Sequence, residues 1–186
     1  MIAGADQELV ARCVAGSEEA FADLVNTYKN LVFGVISQVV ADKARVDDLA
    51  QEVFLKVHRG LPSFRGDAKL STWIYRIVLN VCASASHGRP EASLDERDDS
   101  GRLRYEPSAG DPAFHLLELR DELERAIAEL PLEQRFLISA HYFGGRQYQE
   151  LADILEMPIG TVKTQLHRAK ARLRAQLEQG RVTREP

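Results

Sequence analysis

The sequence predicts an all-α fold of two small helical domains joined by a flexible linker, the C-terminal domain containing a helix-turn-helix. Apolar residues recur at three- and four-residue spacing through most of the chain, the mark of amphipathic helices. No β-hairpin turn pattern interrupts them in the first half. Between 84 and 113 the period fades into Ser, Gly, Pro, Asp and Arg, the composition of a solvated connector. The domain boundaries are placed at 1–85, 86–113 and 114–186.

A chain of 186 residues with 45% hydrophobic content accommodates two small cores. No apolar run is long enough to cross a bilayer, and no secretory signal pattern opens the chain, so a cytoplasmic location is expected. Cys13 and Cys82 sit among apolar neighbours at helical spacing and read as reduced core thiols. The five histidines are scattered, so no metal site is expected. A phosphate-binding glycine loop, a metal-binding His-Glu helix and a nucleophile elbow are all missing. The chain therefore does not read as an enzyme, and no cofactor is expected.

The first helix is expected over 5–15, with Leu9, Val10, Cys13 and Val14 on its apolar side and Gly16 ending it. Ser17 is placed to cap the next helix, with Glu18 and Glu19 at its positive end. Phe21, Leu24, Val25, Tyr28, Leu31, Val32, Val35, Ile36 and Val39 then keep helical period long enough to form the spine of the first domain. Over 46–60 a third helix starts at Asp47 and Asp48 and buries Val46, Leu49, Ala50, Val53, Phe54 and Val57. Leu55 falls on the opposite face, ringed by Asp48, Gln51, Glu52 and Arg59, which is the form of an interface anchor.

Pro62, Ser63 and Gly66 mark a loop, after which Ser71 or Thr72 starts a helix with Ile74, Ile77, Val78 and Val81 inward. Thr72, Arg76 and Asn80 share another face, close to Trp73. Polar donors beside aromatic planes suit single-stranded nucleic acid, although Phe64, Trp73 and Tyr75 also fit a core. In the connector seven acids, Glu91, Asp95, Glu96, Asp98, Asp99, Glu106 and Asp111, outnumber Arg89, Arg97, Arg102 and Arg104. Helical period resumes at Phe114 with Leu116, Leu119, Leu123, Ile127 and Leu130. Pro131 opens LEQRFLISAHYF, which Gly144 and Gly145 terminate.

Residues 146–174 then read as two helices with a Pro-Gly break between them. Tyr148, Leu151, Ala152 and Leu155 mark the buried stripe of the first, which should stop near Leu155. The second should start near Gly160 or Thr161. Val162, Leu166, Ala169, Leu173 and Leu177 form its apolar stripe, leaving Lys163, Thr164, His167, Arg168 and Ala171 outward. Over 159–181 six bases, Lys163, Arg168, Lys170, Arg172, Arg174 and Arg181, face the single acid Glu178, a formal charge of +5 in a chain of net charge -4. A basic helix behind a helix-turn break points to DNA binding, since a local patch outweighs an acidic total.

The run YQELADILEMPIGTVKTQLHRAKARLR resembles the region that reads the promoter -35 element in bacterial sigma factors, in particular the two-domain extracytoplasmic-function class. P-x-G-T-V-K followed by L-H-R-A is its specific part. The resemblance implies that Lys163, Thr164, His167 and Arg168 enter the major groove, while Gly160 and Thr161 hold a phosphate through backbone amides. DDLAQEVFLKVHR is similar to the family segment that docks on core RNA polymerase, which implies contact roles for Asp48, Gln51, Glu52 and Leu55. F-R-G-D followed by T-W-I-Y-R-I-x-x-N resembles the -10 melting region. That match implies roles in single-stranded -10 DNA for Phe64, Arg65, Asp67, Lys69, Thr72, Trp73, Tyr75, Arg76 and Asn80. Phe64 and the 65–69 loop would form one wall of a base pocket, and Tyr75, Arg76 and Asn80 the other.

The expected partners are thus core RNA polymerase, promoter DNA and an anti-sigma factor, and the family's linker occupies the polymerase's RNA exit path. Neither a separate N-terminal inhibitory region nor a middle domain is expected. The chain departs from many relatives in two places. VCASASHGRP after Asn80 is poor in bases, and Gln165 stands where a basic phosphate contact is common. Two other readings are a helix-turn-helix regulator acting without polymerase and a sigma-like adaptor.

Overall fold

A computed structural model describes residues 4–87 and 112–182, so the acids and arginines assigned to the connector lie outside the described residues. Helix α1 (Gly4–Val14) ends before Gly16, whose φ of 87° suits glycine. The Ser17 side chain then accepts the Ala20 amide at 3.2 Å and starts α2 (Glu18–Val39). Leu24, Val32 and Ile36 of α2 lose all contact with water. Burial of such a side chain stabilises by about 1.5 to 3 kcal/mol. Helix α3 (Val46–Gly60) and helix α4 (Leu70–His87) complete the first layer around α2, with a short 3₁₀ turn, Leu61–Ser63, between them. Gly60 lets the Trp73 ring close on that turn. A Cβ there would lie 2.9 Å from Cζ2 of Trp73.

The second half begins with α5 (Pro112–Ala128), in which the side chains up to residue 118, Leu116 among them, lie outside the described set. Pro131 precedes α6 (Leu132–Ile138), which runs into a π-helical turn at Ser139–Phe143. Periodicity predicts one continuous helix here, and the wider turn is a correction to it. Gly144 closes the turn, its amide donating to the Ser139 carbonyl at 3.0 Å, and any Cβ at 144 would meet the Ala140 carbonyl oxygen at 2.8 Å.

Helix α7 (Tyr148–Leu155) and helix α8 (Ile159–Val182) form the helix-turn-helix. Val162, Leu166, Ala169 and Leu173 are buried as their spacing predicts. In α7 the expected stripe shifts. Leu151 and Ala152 are buried, but Ile154 joins them, and Tyr148 stays well exposed, because α7 packs on α4 as well as on α8.

The halves are not separate beads. Helices α5 and α6 lie on α2, and α7 lies on α4. This also explains why α4 buries more than one stripe. Alongside Ile74, Val78 and Val81, residues Leu70, Tyr75, Leu79 and Cys82 are buried, whereas Ile77 is only partly covered. The Cys82 thiol is pushed up to about 11 by that burial.

Candidate nucleic-acid and polymerase interfaces

On α3, Asp48, Gln51, Glu52 and Leu55 are all exposed, and Leu55 is 50% exposed in the middle of the acidic face. Glu52 pairs with Lys56 one turn on at 2.9 Å. The buried Leu49, Ala50, Val53 and Val57 hold the opposite side of the helix on the core, so the polar face is rigidly presented.

The second surface is the loop before α4 and the face of α4 that follows. Phe64 and Trp73 pack ring to ring, 5.1 Å between centroids, and the Trp73 edge rests on Gly60. Arg65, Asp67, Lys69 and Asn80 are exposed. Thr72 and Tyr75 are not, at 6% and 3%.

Tyr75, expected as one wall of a base pocket, instead lies edge-on to Phe136, 5.9 Å between centroids. The Arg146 guanidinium sits 5.3 Å over its ring, and Arg146 Nε donates to its hydroxyl at 3.2 Å. Arg76 donates through Nη2 to the Asp153 carbonyl at 2.5 Å and pairs with Glu156 at 2.8 Å. Lys69 pairs with Glu150 at 3.3 Å. The residues named for -10 DNA are therefore split. Phe64 and Arg65 line a groove of about 460 Å³ against Val10 and Val14 of α1, whereas Lys69, Thr72 and Arg76 line a cavity of about 690 Å³ against α7. The contribution of α1 was not signalled by its sequence beyond apolar residues close to Gly16.

The charge on α7 is set by these contacts. Burial pushes the Glu150 carboxyl up, but the Gln147 amide, Lys69 and Arg146 outweigh it and hold the group below the usual carboxylate range. Glu156 has φ 54° and ψ 40°, the left-handed region that favours glycine, at the C-cap of α7. A non-glycine residue there carries strain on the order of 1 kcal/mol. Its side chain reaches Arg76.

The third surface is α8, where Gly160, Thr161, Lys163, Thr164, His167, Arg168 and Ala171 are all exposed. The Thr161 amide already donates to the Pro158 carbonyl at 2.8 Å, which removes it from the amide pair expected to hold a phosphate. The Thr164 hydroxyl donates back to Gly160 at 2.9 Å, leaving its lone pairs outward. Gln165, which the resemblance places where a basic phosphate contact is common, turns inward. Its Oε1 accepts from Gln134 Nε2 at 3.1 Å, and Gln134 Oε1 accepts from Arg172 at 3.2 Å. Gln165 and Arg172, seven residues apart, line one flank of the buried stripe, so Gln134 fixes the rotation of α8 about its axis. Sequence reasoning also missed an aromatic group beside this helix. His141 stacks on Tyr148 at 4.8 Å, Lys163 lies 5.9 Å from the Tyr148 ring, and Lys170 lies 6.0 Å from the half-exposed Tyr142.

Comparison with known proteins decides what this arrangement belongs to. The sigma-70 region 2 family matches residues 24–87, and the sigma-70 region 4 family matches residues 120–173. The RNA polymerase sigma-H factor of Pseudomonas aeruginosa is 34% identical over 179 residues, covering 89% of this chain and 90% of that protein. The ECF RNA polymerase sigma-E factor of Escherichia coli K12 is 36% identical over 173 residues, with the same two coverages of 89% and 90%.

The chain belongs to the extracytoplasmic-function sigma factors. It is a transcription-initiation factor. The α3 and α4 surfaces fall within the region 2 match and α8 as far as Leu173 within region 4, whereas Val10 and Val14 precede both. The sigma factor's fold is also that of two solved relatives. One is CnrH in complex with the cytosolic domain of CnrY, with a TM-score of 0.69 at 23% identity, covering 94% of this chain and 97% of that one. The other is RpoE of Bartonella quintana in complex with the anti-sigma factor NepR, with a TM-score of 0.62 at 20% identity, covering 85% and 96%. Among the described residues of this sigma factor, no helix is long and apolar enough to cross a membrane.

Proposed function

We propose that this sigma factor docks on core RNA polymerase through Asp48, Gln51, Glu52 and Leu55, reads the -35 duplex with α8 and captures single-stranded -10 DNA on the 64–69 loop and α4. The observation that carries the reading is the two-faced character of α8. Val162, Leu166, Ala169 and Leu173 are buried, while Lys163, Thr164, His167 and Arg168 face solvent together. Lysine and arginine reach guanine edges or phosphates in a major groove, and Ala171 leaves room for close approach.

Strand capture falls to different chemistry. A flipped base costs a few kcal/mol of stacking and pairing, and stacking on an aromatic plane returns about 1 to 3 kcal/mol per base. Phe64 is the half-buried ring at the exposed loop, with Arg65 beside it and Asn80 as an edge donor one helix face away. Gly160 and the Thr161 hydroxyl take the phosphate role at the head of α8.

In this reading the protein supplies recognition and opening, and the polymerase supplies catalysis. The chain is not itself an enzyme, holds no cofactor and works in the cytoplasm with the polymerase. The domains divide at 1–85 and 114–186, with 86–113 between them, although α4 runs on to His87 and α5 starts at Pro112. An anti-sigma factor is a further proposed partner, since one structural relative, RpoE, is solved with such a protein.

Reconstitution tests the whole assignment. Core RNA polymerase with and without the purified protein is given sheared genomic DNA, and the 5′ ends of run-off transcripts are mapped. New start sites sharing paired upstream elements are expected. A regulator working without polymerase, or an adaptor, would yield no new start sites, and that result removes the assignment.

A further inference from the structure

We propose that the groove between α1 and the 64–66 arm of the loop is a second nucleobase subsite, which takes an unpaired thymine of the -10 strand. The inference deepens the reading of the 64–69 loop and α4 as the -10 surface and rests on it. At Gly66, with φ 78°, the loop parts. Phe64 and Arg65 line the groove beside α1, whereas Asp67 and Lys69 line the cavity beside α7. The two spaces differ in charge. On the α7 side Asp67, Glu150, Asp153 and Glu156 outnumber Lys69 and Arg76, an unfavourable wall for a phosphate. On the α1 side, among the described residues, Arg65 is the one charged group that lines the groove.

The surface of α1 supplies an independent observation. Leu9, Val10 and Cys13 pack against the core, and the Tyr28 hydroxyl donates to Asp6 on the same side. Gln7, Ala11 and Val14 share a neighbouring face at spacings of four and three, and all three are exposed. Holding α1 on α2 does not use that face. It turns instead to the groove, where Val14, half exposed, meets the exposed Pro62. The region 2 match begins at residue 24, so it assigns nothing to α1.

The walls suit a pyrimidine that carries a methyl group. Val10, Val14 and Pro62 offer apolar contact to a base and to the thymine methyl, and the Phe64 ring offers a stacking plane. The Gln7 amide can donate to a carbonyl and accept from a ring N–H, the pair that thymine presents on its pairing edge. Arg65 supplies the cation for the adjoining phosphate. Phe64 also packs on Trp73, so its ring borders the groove and the α4 surface alike, and successive bases of one strand reach both. A space of about 460 Å³ falls in the range of about 300 to 1,000 Å³ that small ligands occupy. Uracil differs from thymine by the methyl alone, and burial of one such group changes affinity about fourfold.

The test uses holoenzyme formed from the full chain and core RNA polymerase. A pool of single-stranded DNA with a randomised central segment is captured, and the bound strands are sequenced. The wild type is expected to enrich neighbouring positions, one of which loses its preference in Asn80→Ala and another, a thymine, in Val14→Ser. Val14→Ser keeps the fold because the side chain is half exposed, and an unchanged thermal melt checks this. In the selected strand each thymine is then replaced in turn by uracil, a change that needs no variant protein. At one position the wild type is expected to lose about fourfold in affinity, and Val14→Ser less than about twofold. No such position with the wild type, or an equal loss in Val14→Ser, overturns the subsite. Asn80→Ala with every position enriched as in the wild type overturns the reading of α4, whatever Val14→Ser does.

Discussion

Arg135 of α6 donates through Nη1 to the Val39 carbonyl of α2 at 2.7 Å, tying the second half of the chain to the C-terminal end of the first half's long helix. A cation there also meets the negative end of the helix dipole, and burial lowers the affinity of this guanidinium for its proton. Arg135→Ala leaves a part-buried carbonyl without its partner, so a loss of about 1 to 3 kcal/mol is expected. Urea titration followed by circular dichroism measures it; an unmoved midpoint means that water replaces the contact at no cost.

The Gln134 network predicts coupling. Gln134→Ala and Gln165→Ala, singly and together, should show an interaction of about 0.5 to 1.5 kcal/mol in stability. Gln134→Ala should also weaken -35 duplex binding, although Gln134 is buried and touches no DNA. If the double-variant losses simply add, the two amides do not act together and α8 is held by its apolar stripe alone.

Leu55→Asp places a carboxylate on the exposed centre of the α3 face without entering the buried stripe. Folding should be preserved and affinity for core polymerase should drop by about 2 kcal/mol, roughly thirtyfold. Pull-down of core enzyme by the folded variant decides it, and full recovery would take Leu55 out of the interface.

Lys163→Ala should cost about 1 to 3 kcal/mol on its own -35 element if Lys163 reads a base, and less on scrambled duplex. An equal loss on both duplexes would assign it to a phosphate instead.

The Tyr28 hydroxyl donates to Asp6 at 3.4 Å, linking α2 to α1, and burial followed by the Asp6 carboxylate pushes the phenol up to about 12. A group raised in the folded state contributes fully below its unfolded value, near 10, and loses that contribution as pH rises through about 12. Stability should therefore fall by up to about 2 to 3 kcal/mol across that window, and Tyr28→Phe should flatten this part of the curve. Parallel alkaline profiles of the two proteins would show that Tyr28 is not the group responsible.

Much of this architecture is legible in the residues because most helices have water on one side. The stripes of α2, α3 and α8 follow from that asymmetry, and the Ser17 cap follows from its hydroxyl. Legibility fails where a helix is covered from two directions. Tyr75 and Ile154 are buried by the opposite half of the chain, and a period counted along one helix carries no record of that second cover. Gln165 borders the α8 stripe, where spacing alone does not choose between solvent and Gln134. The exposed face of α8 was readable because bases cannot be buried unpaired. The contact of Lys69 and Arg76 with α7 was not, since it joins residues about eighty positions apart in the chain.

The π-helical turn at Ser139–Phe143 sets the direction in which the helix-turn-helix leaves α6. A turn of this kind holds one residue more than the α-helix it interrupts, and each residue of an α-helix advances the chain by about 100°. Loss of a single codon between 139 and 143 would restore ordinary winding and swing everything downstream around the α6 axis, carrying α7 off α4 and α8 away from Gln134. No amino-acid replacement reproduces that change. Length in this short window is thus under tighter constraint than identity, and in-frame deletion scanning should find it the least tolerant stretch of the second half.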